Sequence, residues 1–212
     1  KQNEAVDLVL GHPAHPAFLV TKLWNEFVAT PPDAATLQAL VATYTGGGLK
    51  LKPLLEKILG DKALFASLGE PTMVKPPVVY VVATLRTLGV AISDSTAADH
   101  LDAMGQVPYF PPTVAGWEGG LSWLNTNTAL ARFSFAGEVL QSVKIDDVPN
   151  ETAAAAYDRA YQAVGTPWLA PGTQTAIRDY AARAGSSNQK LRKERQLMLR
   201  ALMLAGPDAQ VM

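Results

Sequence analysis

The 212-residue sequence contains no cysteine, which excludes disulfides, thiolate metal sites and cysteine nucleophiles. Charge is also scarce, at 17% of residues, and nearly balanced, with a formal net charge of −1. Nucleic-acid binding needs a strongly basic surface, so this balance argues against it. No apolar run approaches the ~18 residues of a membrane span, since the longest covers only residues 78–83. The sequence begins at Lys1 without a signal-like segment, and we expect it to be the C-terminal part of a longer protein.

What the sequence does contain is a series of helix-length segments separated by proline, glycine and capping residues. Pro16 suits the first turn of a helix, where its missing N–H costs nothing. The predicted N-caps are Asp33 for residues 34–44, Ser95 or Thr96 for a helix through 104, Asn150 for 151–164, Thr173 for 174–184, and Ser187 or Asn188 for the last helix. In that last helix we expect a basic face of Lys190, Arg192, Lys193, Arg195 and Arg200, and an apolar face of Leu191, Met198 and Leu202.

One segment, residues 76–89, is ambiguous. Its β-branched residues favour a strand, whereas the paired prolines at its start, Leu85 and Leu88 beyond, and Gly89 as a C-cap favour one buried helix. We predict the helix. No alternating pattern with a hairpin turn occurs elsewhere, so the fold is predicted to be all-α, with eight to ten short helices around one core and a loop-rich middle. Residues 1–212 are expected to form a single domain, with a possible subdivision near 143–150.

The middle of the chain, residues 105–123, reads GQVPYFPPTVAGWEGGLSW. Its prolines force extended backbone and its glycines permit tight turns. Such a loop could lay its rings across helix ends as a lid, with Phe110 and Trp123 as the buried pair. It could instead expose some rings as a stacking surface for sugars or a protein partner. The candidate binding residues are Tyr109, Trp117, Glu118 and Trp123.

Carboxylates near this loop offer one catalytic hypothesis. Asp99 and Asp102 are helix neighbours at i, i+3, and Glu118 follows Trp117. Two carboxylates that flank a glycosidic bond can hydrolyse it, although acidic residues on a helix usually form its solvated face. No Gly-x-Ser-x-Gly motif is present, and residues 46–50 do not match a phosphate loop. No catalytic residue is therefore assigned.

Isolated histidines and cations complete the candidates. Pro13 and Pro16 prevent a regular helix around His12 and His15, so we interpret His12 as bonding the last carbonyls of one helix, with His15 preceding the next. No metal or cofactor is predicted. Lys75 and Arg86 lie in apolar surroundings and should meet a carboxylate or helix C-terminal carbonyls, with an anion site as the alternative. Arg132 is interpreted in the same way, packed on an aromatic face.

Four groups of short phrases follow one another along residues 4–140. They are His12-Pro13-Ala14 with Phe18, Lys22-Leu23-Trp24 and Phe27-Val28; Val74-Lys75-Pro76-Pro77 with Leu85-Arg86-Thr87-Leu88-Gly89; Met104-Gly105-Gln106 with Pro111-Pro112-Thr113-Val114-Ala115-Gly116-Trp117, Gly119-Gly120 and Trp123; and Arg132. In order and spacing they resemble the bacterial family called domain of unknown function 1800.

This resemblance implies an exported protein, periplasmic or extracellular, and a sulfatase-like partner of the "domain of unknown function 1501" family encoded beside it. It implies no established activity. We therefore expect an envelope-associated scaffold or interaction module. The alternative is a hydrolase that acts on an envelope or extracellular polymer through carboxylates near the aromatic loop. The expected partner is the missing N-terminal half or another chain, and part of the surface formed by residues 6–27 should be covered by it.

Overall fold

The structure is a computed structural model that describes residues 2–28 and 30–212. Over these residues it is all-α, as predicted: it contains eleven α-helices and two 3₁₀-helices, and its only β pairings are two isolated bridges. The α-helices are α1 (Gln2–Leu10), α2 (His15–Asn25), α3 (Ala34–Gly46), α4 (Leu51–Leu59), α5 (Lys62–Ser67), α6 (Pro77–Leu88), α7 (Asp94–Ala103), α8 (Thr126–Gln141), α9 (Ala153–Ala163), α10 (Pro171–Arg183) and α11 (Gln189–Ala205). Among the described helices, none is both long and apolar enough to cross a membrane.

The chain divides into two compact units, Lys1–Thr72 and Met73–Met212. Residues 143–150, the candidate subdivision, lie inside the second unit. Buried apolar side chains form three clusters where one core was expected, one in the first unit and two in the second. The single domain over residues 1–212 stays a prediction.

The first unit packs α2, α3 and α4 around Trp24, Leu40 and Ile58, which are all buried. The Trp24 indole N–H donates to the Thr30 carbonyl at 2.7 Å, which satisfies the polar edge of a buried ring. The predicted cap of α3 is confirmed, because the Asp33 side chain accepts from the backbone N–H of Thr36.

The second unit has one cluster on α6, α7 and α8 and another on α8 to α11. The ambiguous segment is a helix, α6, and it ends at Gly89 in the left-handed conformation with φ of 64°. Residues 73–75 pair with residues 210–212 through an isolated antiparallel bridge between Val74 and Val211. This pairing fixes the start of the unit to its end.

Three helix starts differ from their predicted positions. The cap of α7 is Ser93, two residues before the predicted Ser95. Thr152, not Asn150, caps α9. The predicted cap Thr173 instead lies inside the first turn of α10, because Pro171 occupies the N-terminal position where its missing N–H is tolerated.

The predicted faces of α11 are wrong in part. Arg195 and Arg200 are buried, whereas Met198 and Leu202 are exposed. Leu199 and Met203 provide the buried apolar contacts. The buried face differs from the prediction because Arg195 has a partner elsewhere in the chain. The Arg195 guanidinium bonds the backbone and carboxylate of Glu151, and this pairing makes the burial of the arginine tolerable.

Candidate functional site

The aromatic loop between α7 and α8 is fixed at its first end by Gln106. The Gln106 backbone N–H donates to the Leu101 carbonyl at 2.9 Å, and its side-chain oxygen accepts from the Val78 N–H at 3.0 Å. Val78 lies in the first turn of α6, whose N–H groups have no partner within the helix. The loop therefore starts from a bond between α7 and α6.

The second end of the loop is fixed by Trp123 and the start of α8. Trp123 lies in the 3₁₀-helix Gly120–Trp123 and is 7% exposed. Its carbonyl accepts from the Thr128 hydroxyl at 3.0 Å. Thr128 also forms a capping box with Asn125, in which each side chain bonds the other's backbone. The burial expected for Trp123 is confirmed.

Between these anchors, the loop exposes large apolar side chains. Tyr109 is 95% exposed and Phe110 is 77% exposed, and Val114 and Leu121 are exposed as well. Tyr109 has a φ of 69°, a left-handed conformation that bulky residues rarely adopt. Trp117 is half-buried, and Glu118 is exposed.

The expected burial of Phe110 is wrong. The ring follows the left-handed Tyr109 and precedes two prolines, so no helix or strand continues through it to hold it against the core. The two alternatives for the loop each describe a part of it, because Trp123 is packed inside while Tyr109 and Phe110 are presented to solvent. The four candidate binding residues thus divide into a buried anchor, Trp123, and the more accessible Tyr109, Trp117 and Glu118.

The three carboxylates of the hydrolase hypothesis do not converge on a described contact. Asp99, Asp102 and Glu118 are all exposed, and no described hydrogen bond or ion pair engages them. The side chain that packs inward from α7 is His100, whose ring meets Phe135 edge-on at 5.0 Å and whose Nε2 lies 3.3 Å from Glu138.

The most buried polar side chain near this region is Arg132 on α8, which is 1% exposed. Its guanidinium donates to the Lys75 carbonyl at 2.8 Å and to Gln210 Oε1 at 3.1 Å, and it lies 5.0 Å from the centre of the Tyr80 ring. The expected packing on an aromatic face is therefore present. Burial lowers the pKa of Arg132, and its Nε has no hydrogen-bond partner among the described residues.

Lys75 is the second cation of this cluster. Its ammonium donates to the Ala209 carbonyl at 2.9 Å, in the 3₁₀-helix Pro207–Gln210. Burial and then the charge of Arg132 lower the pKa of Lys75. The expectation that Lys75 meets carbonyls near a helix end is met, whereas Arg86 is exposed and its predicted apolar surroundings are wrong.

A pocket of about 190 Å³ opens beside Lys75 in the second unit. Its walls come from α6, from residues 164–167 after α9, and from the end of α11. The polar lining side chains include Lys75, Thr84 and Thr87. Tyr80 also lines the pocket; its hydroxyl donates to the Leu204 carbonyl at 2.9 Å, and burial raises the pKa of Tyr80 to about 12.

Comparison with models of known protein families shows the family of this chain. Residues 1–211 match the family described as "Protein of unknown function (DUF1800)". The chain belongs to this family. Neither the curated proteins nor the solved structures give a match.

Several phrases that carry the DUF1800 resemblance lie at joints of the second unit. Gln106 joins the loop to α6, Trp123 anchors the loop, and Arg132 bonds the backbone of Lys75. These residues position other elements of the second unit. The exposed Tyr109 and Phe110 make no described side-chain contact of this kind.

Sequence reasoning missed the buried ion-pair cluster of this DUF1800 chain. The Glu151 side chain is 2% exposed, and its carboxylate lies 2.6 Å from Arg159 Nε and 3.1 Å from Arg195 Nη2. Burial alone would raise the pKa of Glu151, but the hydrogen bonds and charges of the two arginines outweigh it and lower the pKa. Asp147 forms a two-bond pair with Arg192, both at 2.7 Å. The repeated arginines of α11 were the available signal.

The histidines of the first unit have structural contacts. The His12 ring accepts from the Ala14 N–H at 3.2 Å, instead of bonding helix carbonyls as expected. His15 begins α2 and lies 3.1 Å from the Tyr44 hydroxyl. Within the described residues, no group of three or more acidic or histidine side chains is arranged to hold a metal ion.

Proposed function

We propose that this DUF1800 chain is a protein-interaction module and that the exposed part of the aromatic loop, residues 107–121, is its binding surface. The observation that carries the proposal is Tyr109, a large ring that is 95% exposed on left-handed backbone. A non-glycine residue in that region costs on the order of 1–2 kcal/mol. Such strain concentrates at functional positions.

The frame of the loop supports this use. Gln106 and Trp123 fix its ends, and two turns between them are closed by bonds from the Phe110 N–H to the Val107 carbonyl and from the Gly116 N–H to the Thr113 carbonyl. Ordering a loop on binding costs free energy, and a preorganised loop avoids much of that cost. Tyrosine is also enriched among residues that dominate protein–protein affinity.

The proposed partner is a protein of the cell envelope. The resemblance to the family supports an exported location and a sulfatase-like partner of the "domain of unknown function 1501" family encoded beside the gene. The exposed, apolar composition of the loop suits a protein surface with a matching apolar pocket. Immunodetection in periplasmic and culture fractions of the source bacterium tests the location.

The hydrolase alternative has no comparable support. Its three carboxylates are exposed and make no described contact with one another, whereas glycoside hydrolysis requires two carboxyl groups to face each other across the scissile bond.

The experiment measures binding of the purified chain to that neighbour-encoded protein by biolayer interferometry. Replacing Tyr109 and Phe110 by serine should weaken binding by at least about 30-fold, equivalent to about 2 kcal/mol. The matched control replaces Leu130 and Phe133, two exposed apolar residues on α8, by serine. The control should bind as the wild type does. Equal affinity of the loop variant and the wild type, or no binding by the wild type, would contradict the proposal.

A further inference from the structure

The pocket beside Lys75 is lined in part by polar side chains whose hydrogen-bonding capacity is not fully used by the described contacts. Thr84 and Thr87 on α6 line it. Thr84 is 5% exposed, yet no described hydrogen bond engages its hydroxyl or that of Thr87. Some helical threonines of the chain, Thr43, Thr45 and Thr175, bond the carbonyl four residues earlier. Thr84 and Thr87 thus line a concave space without such a bond.

The polar part of the pocket lining is positively charged through Lys75, and no described carboxylate pairs with it. The Lys75 ammonium has three donors, and the described bond to the Ala209 carbonyl uses one of them. The neighbouring Arg132 bonds the Lys75 carbonyl and Gln210. Among the described contacts, neither cation has a carboxylate partner. Buried charges are normally paired, so the site favours an anion.

The pocket also has apolar lining side chains. Val164, Pro167 and Met203 are among them. Gly165 allows its segment to approach α6 closely, because a Cβ atom at this position would lie 3.0 Å from Thr87 Cγ2. A ligand in this space would place its charged end at Lys75 and a hydrocarbon part against these apolar side chains.

The size of the pocket limits the ligand. Its volume is about 190 Å³, and a cavity of about 150 Å³ accommodates benzene. A ligand of about six to eight non-hydrogen atoms therefore fits. One ammonium and two hydroxyls match a singly charged carboxylate, whereas a phosphate dianion would call for more donors.

We propose that this pocket binds a small monocarboxylate with a short apolar chain, with the carboxylate on Lys75 Nζ and the threonine hydroxyls. The site is separate from the loop surface of the proposed interaction, and either can fail without the other.

Calorimetric titration of the full chain with sodium butyrate tests the site, with butyramide as the neutral analogue and inorganic phosphate as the dianion. Butyrate should bind, and butyramide should bind at least about tenfold more weakly because the charge-assisted bond is lost. Absence of butyrate binding at tens of millimolar, or tighter binding of phosphate than of butyrate, would overturn the assignment.

Three variants locate the binding. Lys75→Met should weaken butyrate binding by at least about tenfold, and Thr87→Val by about threefold. Thr87 is exposed on α6, so Thr87→Val keeps the test valid if loss of the Lys75 bond to Ala209 harms folding. Lys57→Met is the matched control, since Lys57 also donates to a backbone carbonyl but lies in the first unit. Its affinity should equal that of the wild type. Unchanged binding by both pocket variants would show that the site is wrong.

Discussion

At the scale of single residues, Glu151 has the largest number of strong contacts among the carboxylates described. Its two oxygens bond Arg159, its backbone and side chain bond Arg195, and it is almost fully buried. Removing one member of a buried ion pair leaves the other charge uncompensated, which usually costs more than the pair contributes. Glu151 should therefore control the stability of the junction between residues 143–152 and α11.

We expect Glu151→Gln to lower the free energy of unfolding by about 3–5 kcal/mol, the cost typical of breaking a buried pair. Urea denaturation at neutral pH measures it. Glu194→Gln is the matched control, because Glu194 forms only an exposed i, i+4 pair with Lys190 at 3.8 Å. That control should change stability by less than about 0.5 kcal/mol. Equal losses in the two variants would contradict the account.

The same residue predicts a response to acid. The folded pKa of Glu151 lies below its ordinary value of 4.5, so the unfolded chain binds the proton more readily. The stabilisation is complete above pH 4.5 and is lost as the pH falls through the folded pKa. Asp147, whose bonds to Arg192 lower its pKa from 3.8, adds a loss of the same sign. Urea midpoints between pH 6 and pH 3 should fall less steeply in Glu151→Gln than in the wild type; parallel curves would refute this.

At the scale of elements, the aromatic loop is anchored through its second tryptophan. Trp123 is buried and its carbonyl accepts from Thr128 at the start of α8. Trp117 is half-buried, and its indole N–H donates no hydrogen bond among the described residues. The two rings therefore have different parts in the loop, although the sequence places them only six positions apart.

We expect Trp123→Ala to lower the free energy of unfolding by about 3–5 kcal/mol, as large core truncations do. Trp117→Ala, its matched counterpart, should lose less than half of that amount because its ring is only partly buried. Thermal and urea unfolding measure both. A larger loss at Trp117 than at Trp123 would mean that Trp117 is the true anchor of the loop.

Local signals predicted several helix starts and failed where distant contacts decide. Asp33 and Asn188 were identified as caps because capping depends on a few neighbouring residues. The buried face of α11 was not predicted, because two apolar stripes run along this helix. Which stripe is buried depends on the bond between Arg195 and Glu151, which is 44 residues away in the chain. The burial of Trp123 and the exposure of Phe110 likewise depend on tertiary packing. The sequence indicated the loop as a candidate site without indicating which rings it presents.

At the scale of the whole molecule, the first unit also exposes an apolar surface. Leu8, Val9 and Phe18 are each more than half exposed and line a groove of about 350 Å³ between α1 and α2. Coverage of part of the surface formed by residues 6–27 by another chain stays a prediction. A contiguous exposed patch of this kind favours association.

We expect the isolated chain to associate with itself through this groove, and a Leu8→Ser, Phe18→Ser double variant to weaken that association by about tenfold. Sedimentation velocity over a range of concentrations measures it. The control is Phe65→Ser with Leu68→Ser, which removes similarly exposed apolar side chains from the same unit. A wild-type chain that stays monomeric at every concentration would contradict this expectation.

We propose that the exposed aromatic loop binds a protein partner, and hydrogen–deuterium exchange of the chain with and without the neighbour-encoded sulfatase-like protein tests this most directly. Backbone amides in residues 107–121 are expected to exchange at least about tenfold more slowly in the complex, because bound loops open less often. Peptides from α9 and α10 should keep their rates. Unchanged exchange across residues 107–121 in a complex that forms would contradict the claim.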